Sequence, residues 1–333
     1  MKLTYYGVRG SIPAPGPKTV RYGGNTSCVV VEAGDNLLVL DAGTGIREFG
    51  DELMQREFGK GKGKANVLFS HIHWDHIQGW PFFVPVYIPG NELNLYGESR
   101  LGTTLQNTID TQQNPPRFPE EAQFNANIRY HIIKEWQQFA IGDGDDRVLV
   151  TSARLNHPNG VSAYRIEHAG KAMVYATDTE HYATPDLKLQ KLAKGADLLI
   201  YDGQFTPEEY PQKVRWGHST YAKGAEMAQL ADVKELHLFH HDPKHSDVFI
   251  DDLTAHAQKL FPNTKAAQEG MSMMLEPASY SVVHAFVKEV GPLDGIAEPE
   301  LRARYRAWAE KRVDDPVMRE VYWKEIDTRL RKR

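Results

Sequence analysis

The feature that most constrains this chain is the stretch SHIHWDH at positions 70–76, which directly follows a strand-like apolar run. In an extended chain alternate side chains share a face, so His71, His73 and Asp75 project together. A helical turn that starts near Asp75 brings His76 to the same focus. Converging imidazole and carboxylate groups suit Zn²⁺ or a similar divalent ion. Because four such ligands exceed what one tetrahedral ion needs once distant ligands arrive, the spacing favours two metal ions.

The alternative interpretation of this stretch is a histidine-rich surface loop, or a set of core histidines whose ring nitrogens are satisfied by hydrogen bonds. A chance cluster rarely lies between an apolar strand and a glycine-containing turn such as the one at positions 77–79. We therefore favour the metal site.

The rest of the chain predicts an α/β fold, because strand-like runs alternate with amphipathic helical runs. The predicted strands span residues 28–32, 37–41, 67–70, 148–153, 172–176, 197–201 and 236–239. The predicted helices span residues 187–194, 221–230 and 248–260.

The domain organisation follows from length and local composition. Residues 77–127 are rich in proline, glycine, asparagine and aromatic residues, and long irregular segments of this kind are typical of functional loops. We expect this segment to form an aromatic lid or wall beside the metals, with a dimer contact as the alternative. The charged, helical end of the chain predicts a C-terminal helical extension over 291–333, and residues 1–290 form the predicted catalytic domain.

Composition narrows the classes of partner and compartment. A net charge of -5 and a pI of about 6.3 disfavour a surface that neutralises many phosphates, so a small substrate is preferred over a nucleic acid polymer. Cys28 is the only cysteine, which excludes an intrachain disulfide and a thiolate-rich metal site. No apolar stretch approaches the ~18 residues of a membrane span. We expect a cytoplasmic protein without a membrane partner, and a homodimer stays open.

The histidine motif resembles the HxHxDH signature of the metallo-β-lactamase superfamily. The stretches GVRGSIPAPG, RYGGNTSCVVVE and LLVLDAGTG within residues 7–45 resemble the opening hairpins of its phosphodiesterase branch. That branch includes the transfer-RNA 3′-processing endonuclease and diesterases of small cyclic phosphates. The resemblance implies an αββα sandwich with two central mixed β-sheets flanked by helices. It also implies two divalent ions at one edge of the sandwich, with Zn²⁺ as the first expectation and Mn²⁺ as the alternative.

The resemblance further implies a ligand set drawn from distant parts of the chain. His157, Asp178 and His240 follow predicted strands in the order that the family shows, and Asp178 matches the carboxylate that bridges both ions. His241 and His245 are neighbouring candidates, which leaves the choice of His240 and the roles of the other two open. The predicted ligands of the first metal are His71, His73 and His157; those of the second are Asp75, His76 and His240; Asp178 is shared.

The stretch GHST at positions 217–220 carries the predicted proton donor. Ser219 or Thr220 is a natural helix N-cap, but a cap does not explain His218. In the diesterase branch the corresponding histidine reaches the site and assists the leaving group. The segment ADLLIYDGQF also resembles that branch, but Asp202 replaces its glutamate, which leaves the supporting role of Asp202 open. We expect Asp75 and His218 to be catalytic, with Asp75 also orienting the attacking hydroxide.

Together these features predict a dinuclear metal-dependent phosphodiesterase that uses a metal-bridged hydroxide. The endonucleases carry a substrate-clamping arm between the third histidine and the bridging aspartate, whereas only a short stretch separates His157 from Asp178 here. The first substrate prediction is therefore a small cyclic nucleotide or cyclic phosphate, whose base could stack on the aromatic run at 80–90. The alternative for this run is a small core or a dimer contact. The alternatives are another hydrolase of the superfamily, acting on a lactone or thioester, an RNA 3′-end nuclease, and a noncatalytic scaffold.

Overall fold

The computed structural model describes residues 1–99, 102–119, 123–276, 286, 289, 296–313 and 316–331. Two compact units divide the chain, Met1–Met274 and Leu275–Arg333. Every predicted site residue belongs to the first unit. The predicted domain boundary between 290 and 291 lies outside the described residues, and it stays a prediction.

The first sheet of unit 1 has seven strands in the described part of the chain. They are β1 Lys2–Gly7, β2 Cys28–Ala33, β3 Asn36–Leu40, β4 Lys64–Leu68, β5 Glu92–Gly97, β6 Asn127–Ile132 and β14 Ser272–Met274, in the order β14-β1-β2-β3-β4-β5-β6. The pairs from β14 to β3 are antiparallel, whereas β3, β4, β5 and β6 pair in parallel. The sheet is therefore mixed.

The second sheet also has seven strands among the described residues. They are β7 Gln138–Ile141, β8 Val148–Leu155, β9 Val161–His168, β10 Lys171–Ala176, β11 Leu198–Asp202, β12 Leu236–Phe239 and β13 Thr264–Ala266, in the order β13-β12-β11-β10-β9-β8-β7. The strands from β10 to β13 are parallel and those from β7 to β10 antiparallel.

Helices cover the outer faces of both sheets. They are α1 Ile46–Leu53, α3 Leu105–Gln112, α4 Leu187–Ala193, α5 Tyr221–Leu230 and α6 Asp247–Leu260, whereas the single turn α2 Trp74–Ile77 follows β4 and carries Asp75 and His76. Thr220 caps α5 by accepting a hydrogen bond from the backbone N–H of Lys223 at 3.3 Å. The predicted α/β sandwich, with two central mixed sheets flanked by helices, is confirmed. No helix among the described residues is both long and apolar enough to cross a membrane.

The inner faces of the two sheets meet through tyrosines that pack and donate hydrogen bonds. Tyr5 on β1 contacts Phe239 on β12, with ring centroids 6.0 Å apart. Tyr164 on β9 donates from its hydroxyl to the backbone oxygen of Phe69 at 2.5 Å, just beyond β4. The hydrogen bond of Tyr164 fixes the second sheet against the end of β4, where the histidine motif begins.

The expectation of an irregular segment over 77–127 is wrong for part of its length. Residues Glu92–Gly97 form β5, an interior strand with β4 on one side and β6 on the other. Trp80 and Phe83 are fully buried in the core between the first sheet and its helices, while Phe82 is exposed. These parts of the segment therefore belong to the fold, and its role as a lid stays a prediction.

The second unit is helical where the structure describes it. The helices Glu298–Ala309 and Pro316–Arg331 contain its regular structure. They enclose a separate apolar cluster of Phe286, Leu301, Tyr305, Trp308, Ala309, Tyr322, Trp323 and Ile326. This cluster gives the unit its own small core.

Candidate metal centre

The predicted metal ligands all lie just beyond the carboxyl ends of strands. Because β10, β11 and β12 are parallel, and β8 runs in the same direction as β10 across the antiparallel β9, their carboxyl ends share one edge. Loops beyond the carboxyl ends of such strands are the usual position of ligand sites in α/β proteins. The four ligands of the motif follow β4, and the remote ligands follow β8, β10 and β12, as His157, Asp178 and His240.

The first cluster consists of His71, His73 and His157. One donor nitrogen from each ring lies within 4.8 Å of the others. The Nδ1 atom of His73 is 3.0 Å from the Nε2 atom of His157. Two nitrogens bound to one tetrahedral zinc at about 2.0–2.1 Å would lie roughly 3.3 Å apart, so this spacing fits a shared ion.

The second cluster consists of Asp75, His76, Asp178 and His240, all buried. The Oδ2 atom of Asp75 lies 3.3 Å from the Nε2 atom of His76 and 3.1 Å from that of His240. These donor separations also match one small divalent ion. The structure thus brings together all seven predicted ligands, in the two groups that the family resemblance implies.

Asp178 contacts both clusters through different oxygens. Its Oδ2 atom lies 3.8 Å from the Nε2 atoms of His71 and His157. Its Oδ1 atom lies 3.2 Å from the Nε2 atoms of His76 and His240. Asp178 has a φ of 49° and His240 a φ of 62°, in the left-handed region that residues other than glycine rarely adopt. Unusual backbone of this kind is concentrated at functional sites.

Hydrogen bonds outside the clusters fix the orientation of the histidine rings. The Nδ1 atom of His157 donates to the backbone oxygen of Gly217 at 2.8 Å, and that of His240 donates to Oε1 of Gln204 at 3.2 Å. A ring whose Nδ1 carries the proton presents a lone pair at Nε2, which is the form that binds metals. In the described part of the chain, the Nε2 atoms of His71 and His76 are buried without any hydrogen bond.

The electrostatics of the site also favour cations. Burial lowers the pKa of His71 well below its usual range and lowers that of His157 to about 4. Burial would raise the pKa of Asp178, but His240 and His76 outweigh it and hold that pKa well below the usual range. His71 and His157 therefore face an ionised carboxylate as neutral rings. Burial also disfavours a charge on His76, but Asp178, Asp75 and Asp41 outweigh it and raise the pKa of His76 well above its usual range. A divalent ion would take the place of the proton at this ring.

The donor atoms of the two clusters fit two divalent ions. The donors are imidazole nitrogens and carboxylate oxygens, which suit zinc. Buried nitrogens without hydrogen bonds point into both clusters, and a shared carboxylate joins them. The donor set fits the implied metals in chemistry and in spacing.

Asp41 is a site residue that the sequence analysis missed. It follows β3 in a left-handed conformation with a φ of 61° and is fully buried. Its Oδ2 atom accepts hydrogen bonds from Nδ1 of His76, Oγ of Ser70 and the hydroxyl of Tyr175, each at 2.7 to 2.8 Å. The available signal was an aspartate directly after the apolar run LLVL, which is next to the motif only once β3 and β4 pair.

Ser11 is a second missed residue, in the loop after β1. Its backbone N–H donates to Oδ2 of Asp75 at 2.7 Å. The neighbouring Gly10 packs directly against the ring of His240, where a side chain would overlap the imidazole. This loop therefore completes the wall of the second cluster.

His218 lies beside both clusters and is paired with Asp202. Its Nδ1 atom donates to Oδ2 of Asp202 at 2.8 Å, and it lies 3.9 Å from Oδ2 of Asp178. Burial disfavours the charged ring, but Asp202 outweighs burial and raises the pKa of His218 to about 9. The position of His218 also allows it to join His157 and Asp178 around a cation.

The other histidines near His240 have structural contacts. His241 donates from Nε2 to the backbone oxygen of Ala267 at 2.8 Å, and burial lowers its pKa to about 3. Nε2 of His245 lies 2.9 Å from Oε1 of Glu209, and its ring stacks on Phe249. Neither belongs to a group of potential metal ligands among the described residues.

A cavity of about 230 Å³ lies beside the first cluster. Its wall includes His71 and His73, the apolar side chains of Phe69, Ile72 and Leu105, and Glu98. A substrate that reaches the clusters from this side meets a mostly apolar surface.

Comparisons with known proteins support the same family. The chain matches the family model of the β-lactamase superfamily domain over residues 36–241. The ribonuclease Z of Synechococcus sp. (strain CC9311) is 27% identical over 269 residues, which cover 64% of this chain and 82% of that protein.

Solved structures give the same fold. The metallo-β-lactamase fold protein YhfI from Bacillus subtilis aligns with a TM-score of 0.61 and 21% identity, over 82% of this chain and 98% of that one. The short form of human tRNase Z aligns with a TM-score of 0.56 and 20% identity, over 83% of this chain and 100% of that one. At these identities the structural likeness shows the fold alone.

Proposed function

The chain belongs to the β-lactamase superfamily, and from this premise we propose that it is a hydrolase of phosphodiester bonds that works with two divalent metal ions. One observation carries the proposal. The two oxygens of Asp178 face different clusters, Oδ2 facing His71 and His157 and Oδ1 facing His76 and His240. A carboxylate in this position would offer one oxygen to each of two divalent ions.

The proposed cofactor is a pair of zinc ions, with manganese as the alternative. His71, His73 and His157 would hold the first ion, and Asp75, His76 and His240 the second, with Asp178 shared. When bound, two divalent ions activate a water and offset the charge that develops on the phosphoryl oxygens.

The remaining chemistry falls to residues of the chain. The backbone N–H of Ser11 holds Oδ2 of Asp75, which fixes that carboxylate toward the second cluster. Asp202 accepts from Nδ1 of His218, so the Nε2 atom of this ring is the one available to a substrate. We assign His218 the transfer of a proton to the leaving oxygen, because an imidazolium paired with a carboxylate is a suitable general acid.

We propose RNA, cleaved near a 3′ end, as the substrate class. The support is that curated relatives such as the one from Synechococcus are named ribonuclease Z. The sequence-based expectation that a nucleic acid polymer is disfavoured is revised on this ground. One of its two grounds was net charge, which is a property of the whole chain, whereas binding depends on the surface around the site. The other was the short connection between His157 and Asp178.

A small cyclic phosphodiester is the second candidate. The observation that favours it is the connection between β9 and β10, a tight turn at Ala169 and Gly170. This leaves no clamping arm between His157 and Asp178. The cavity beside His71 and His73 also has room for a small ligand.

The test is a panel of substrates offered to protein reconstituted with zinc or manganese. It contains RNA with a 3′ extension, cyclic nucleotides, bis(p-nitrophenyl) phosphate and a lactone. We expect hydrolysis of the phosphodiesters and loss of that activity in His157→Ala. Turnover of the lactone alone would replace the proposal by acyl chemistry.

The cytoplasmic location and a homodimer stay predictions.

A further inference from the structure

A groove beside α2 is lined by aromatic side chains that the fold leaves uncovered. Trp74 is 65% exposed and Phe82 is 56% exposed, although both are large apolar residues. With Phe118 they line a groove of about 570 Å³, together with Gln78, Pro81, Gln112, Arg117 and Pro119. Exposed aromatic rings that line one concavity are typical of a binding surface.

The position of the groove relative to the metal centre follows from the sequence of α2. Trp74 lies between His73 of the first cluster and Asp75 of the second. Trp74 begins this short helix and Gln78 directly follows its last residue. The backbone N–H of Gln78 donates to the backbone oxygen of Trp74 at 2.8 Å, so the two residues are one turn apart and both line the groove. Along the chain, the groove residue Trp74 therefore directly adjoins one proposed ligand of each ion.

Neighbouring contacts preform the groove. Gln112 on α3 donates from Nε2 to the backbone oxygen of Ile77 at 3.1 Å, which holds α3 against α2. The rings of Phe82 and Phe118 meet edge to face with centroids 5.8 Å apart. Rings fixed in this way lose little freedom when a ligand binds.

We propose that this groove binds an unpaired nucleobase of the substrate, in a nucleotide next to the phosphodiester held at the metal centre. The inference rests on the proposed function and names a specificity site for it. Every base presents a flat face that stacks on aromatic side chains, so rings beside a phosphodiester site match this ligand. Arg117 lines the same groove, and its positive charge would attract a phosphate group of the substrate.

The groove differs from the aromatic run that the sequence analysis considered for stacking. Within that run Trp80 and Phe83 are buried and unavailable to a ligand. From the run at 80–90, the exposed aromatic residue that lines the groove is Phe82. Trp74 comes from the histidine motif at 70–76. The proposed platform is thus built from two separate segments.

The experiment compares two diesters with the same leaving group. One is the p-nitrophenyl ester of thymidine 5′-phosphate, and the other is methyl p-nitrophenyl phosphate, which has no base. We expect Trp74→Ala to reduce kcat/KM for the nucleoside ester by about 5- to 150-fold more than for the methyl ester. Trp74→Phe should recover most of the difference, and Phe82→Ala should act in the same direction. Trp136→Ala, which removes another partly exposed tryptophan, should leave both rates unchanged.

A binding measurement separates this inference from the proposed function. Fluorescence anisotropy of a labelled single-stranded oligouridine, against the same strand with abasic residues, needs no turnover. If Trp74→Ala weakens binding of the intact strand but not of the abasic strand, the groove binds a base. This result would hold even if the wild type cleaves no diester. Equal losses on both strands and both esters would overturn it. A change in sedimentation of Trp74→Ala without a base-dependent effect would assign the groove to a second copy of the chain instead.

Discussion

The Oδ2 atom of Asp41 lies 2.8 Å from the Nδ1 atom of His76, so a carboxylate beyond β3 fixes the ring of a proposed metal ligand beyond β4. The same oxygen accepts from the hydroxyl of Tyr175 at 2.8 Å. Burial and the nearby Asp41 raise the pKa of Tyr175 well above its usual range, which keeps this hydroxyl a donor. Asp41 is therefore held in place on one side and orients His76 on the other.

The first prediction concerns this orienting carboxylate. Asp41→Asn keeps the size of the side chain but removes the charge that holds the proton on Nδ1 of His76. Loss of such a partner typically lowers metal affinity about 10- to 100-fold. Competition with a chromogenic chelator measures the affinity. Asp251→Asn, which breaks a surface ion pair with Arg21, is the control and should bind metal as the wild type does. Unchanged affinity in Asp41→Asn would reduce Asp41 to a packing role.

The second prediction concerns the number of metal ions. Seven donors in two clusters exceed the capacity of one zinc site, so we expect two ions per reconstituted chain. His71→Ala should lower the content toward one ion, whereas Asp178→Ala should weaken both sites because its oxygens face both clusters. Mass spectrometry of the native protein counts the ions. His256→Ala, an exposed histidine on α6, serves as the control. A wild type with one ion or none contradicts the assignment.

The sequence predicts the parts of this site that depend on local pattern. The alternation of His71, His73 and Asp75 follows from strand geometry, and the apolar runs before His157, Asp178 and His240 mark strand ends. The two groups of ligands, however, came from the family resemblance. Without the resemblance, spacing alone gives no reason to group His157 with His71 and His73. His157 reaches the other two histidines only because the two sheets pack face to face.

The features that were missed depend on contacts between remote segments. Asp41 reaches His76 only because β3 pairs with β4 in parallel. The strand β5 was missed because proline and glycine on either side gave its segment the composition of a loop. Its burial nonetheless alternates along Glu92–Gly97, which is the period of a strand. The composition of the whole segment 77–127 is that of a loop, and it outweighed the alternation of apolar and polar residues within Glu92–Gly97.

The third prediction separates two neighbouring aromatic residues by their burial. Phe83 is fully buried and packs near Trp80, with ring centroids 5.7 Å apart, whereas Phe82 is exposed. Phe83→Ala should lower the free energy of unfolding by roughly 3–5 kcal/mol, because it leaves a cavity in the core. Phe82→Ala should change it by no more than about 0.5 kcal/mol. Urea denaturation followed by circular dichroism measures both, and similar losses in the two variants would contradict the burial difference.

The last prediction tests whether His218 donates a proton or binds metal. Its Nδ1 atom is committed to Asp202 at 2.8 Å, and the proposed ligand sets are complete without it. His218→Ala should therefore retain both ions by mass spectrometry. General acid catalysis typically contributes about 10²- to 10⁴-fold, so cleavage of a diester with an alkoxide leaving group should slow by that amount. Bis(p-nitrophenyl) phosphate should be affected much less, because p-nitrophenolate departs with little need of a proton. Asp202→Asn should show the same contrast in weaker form, since it leaves the ring in place but removes the charge that favours its protonation. Equal losses on both substrates would indicate that His218 positions the substrate, and loss of an ion would move it into the ligand set with His157 and Asp178.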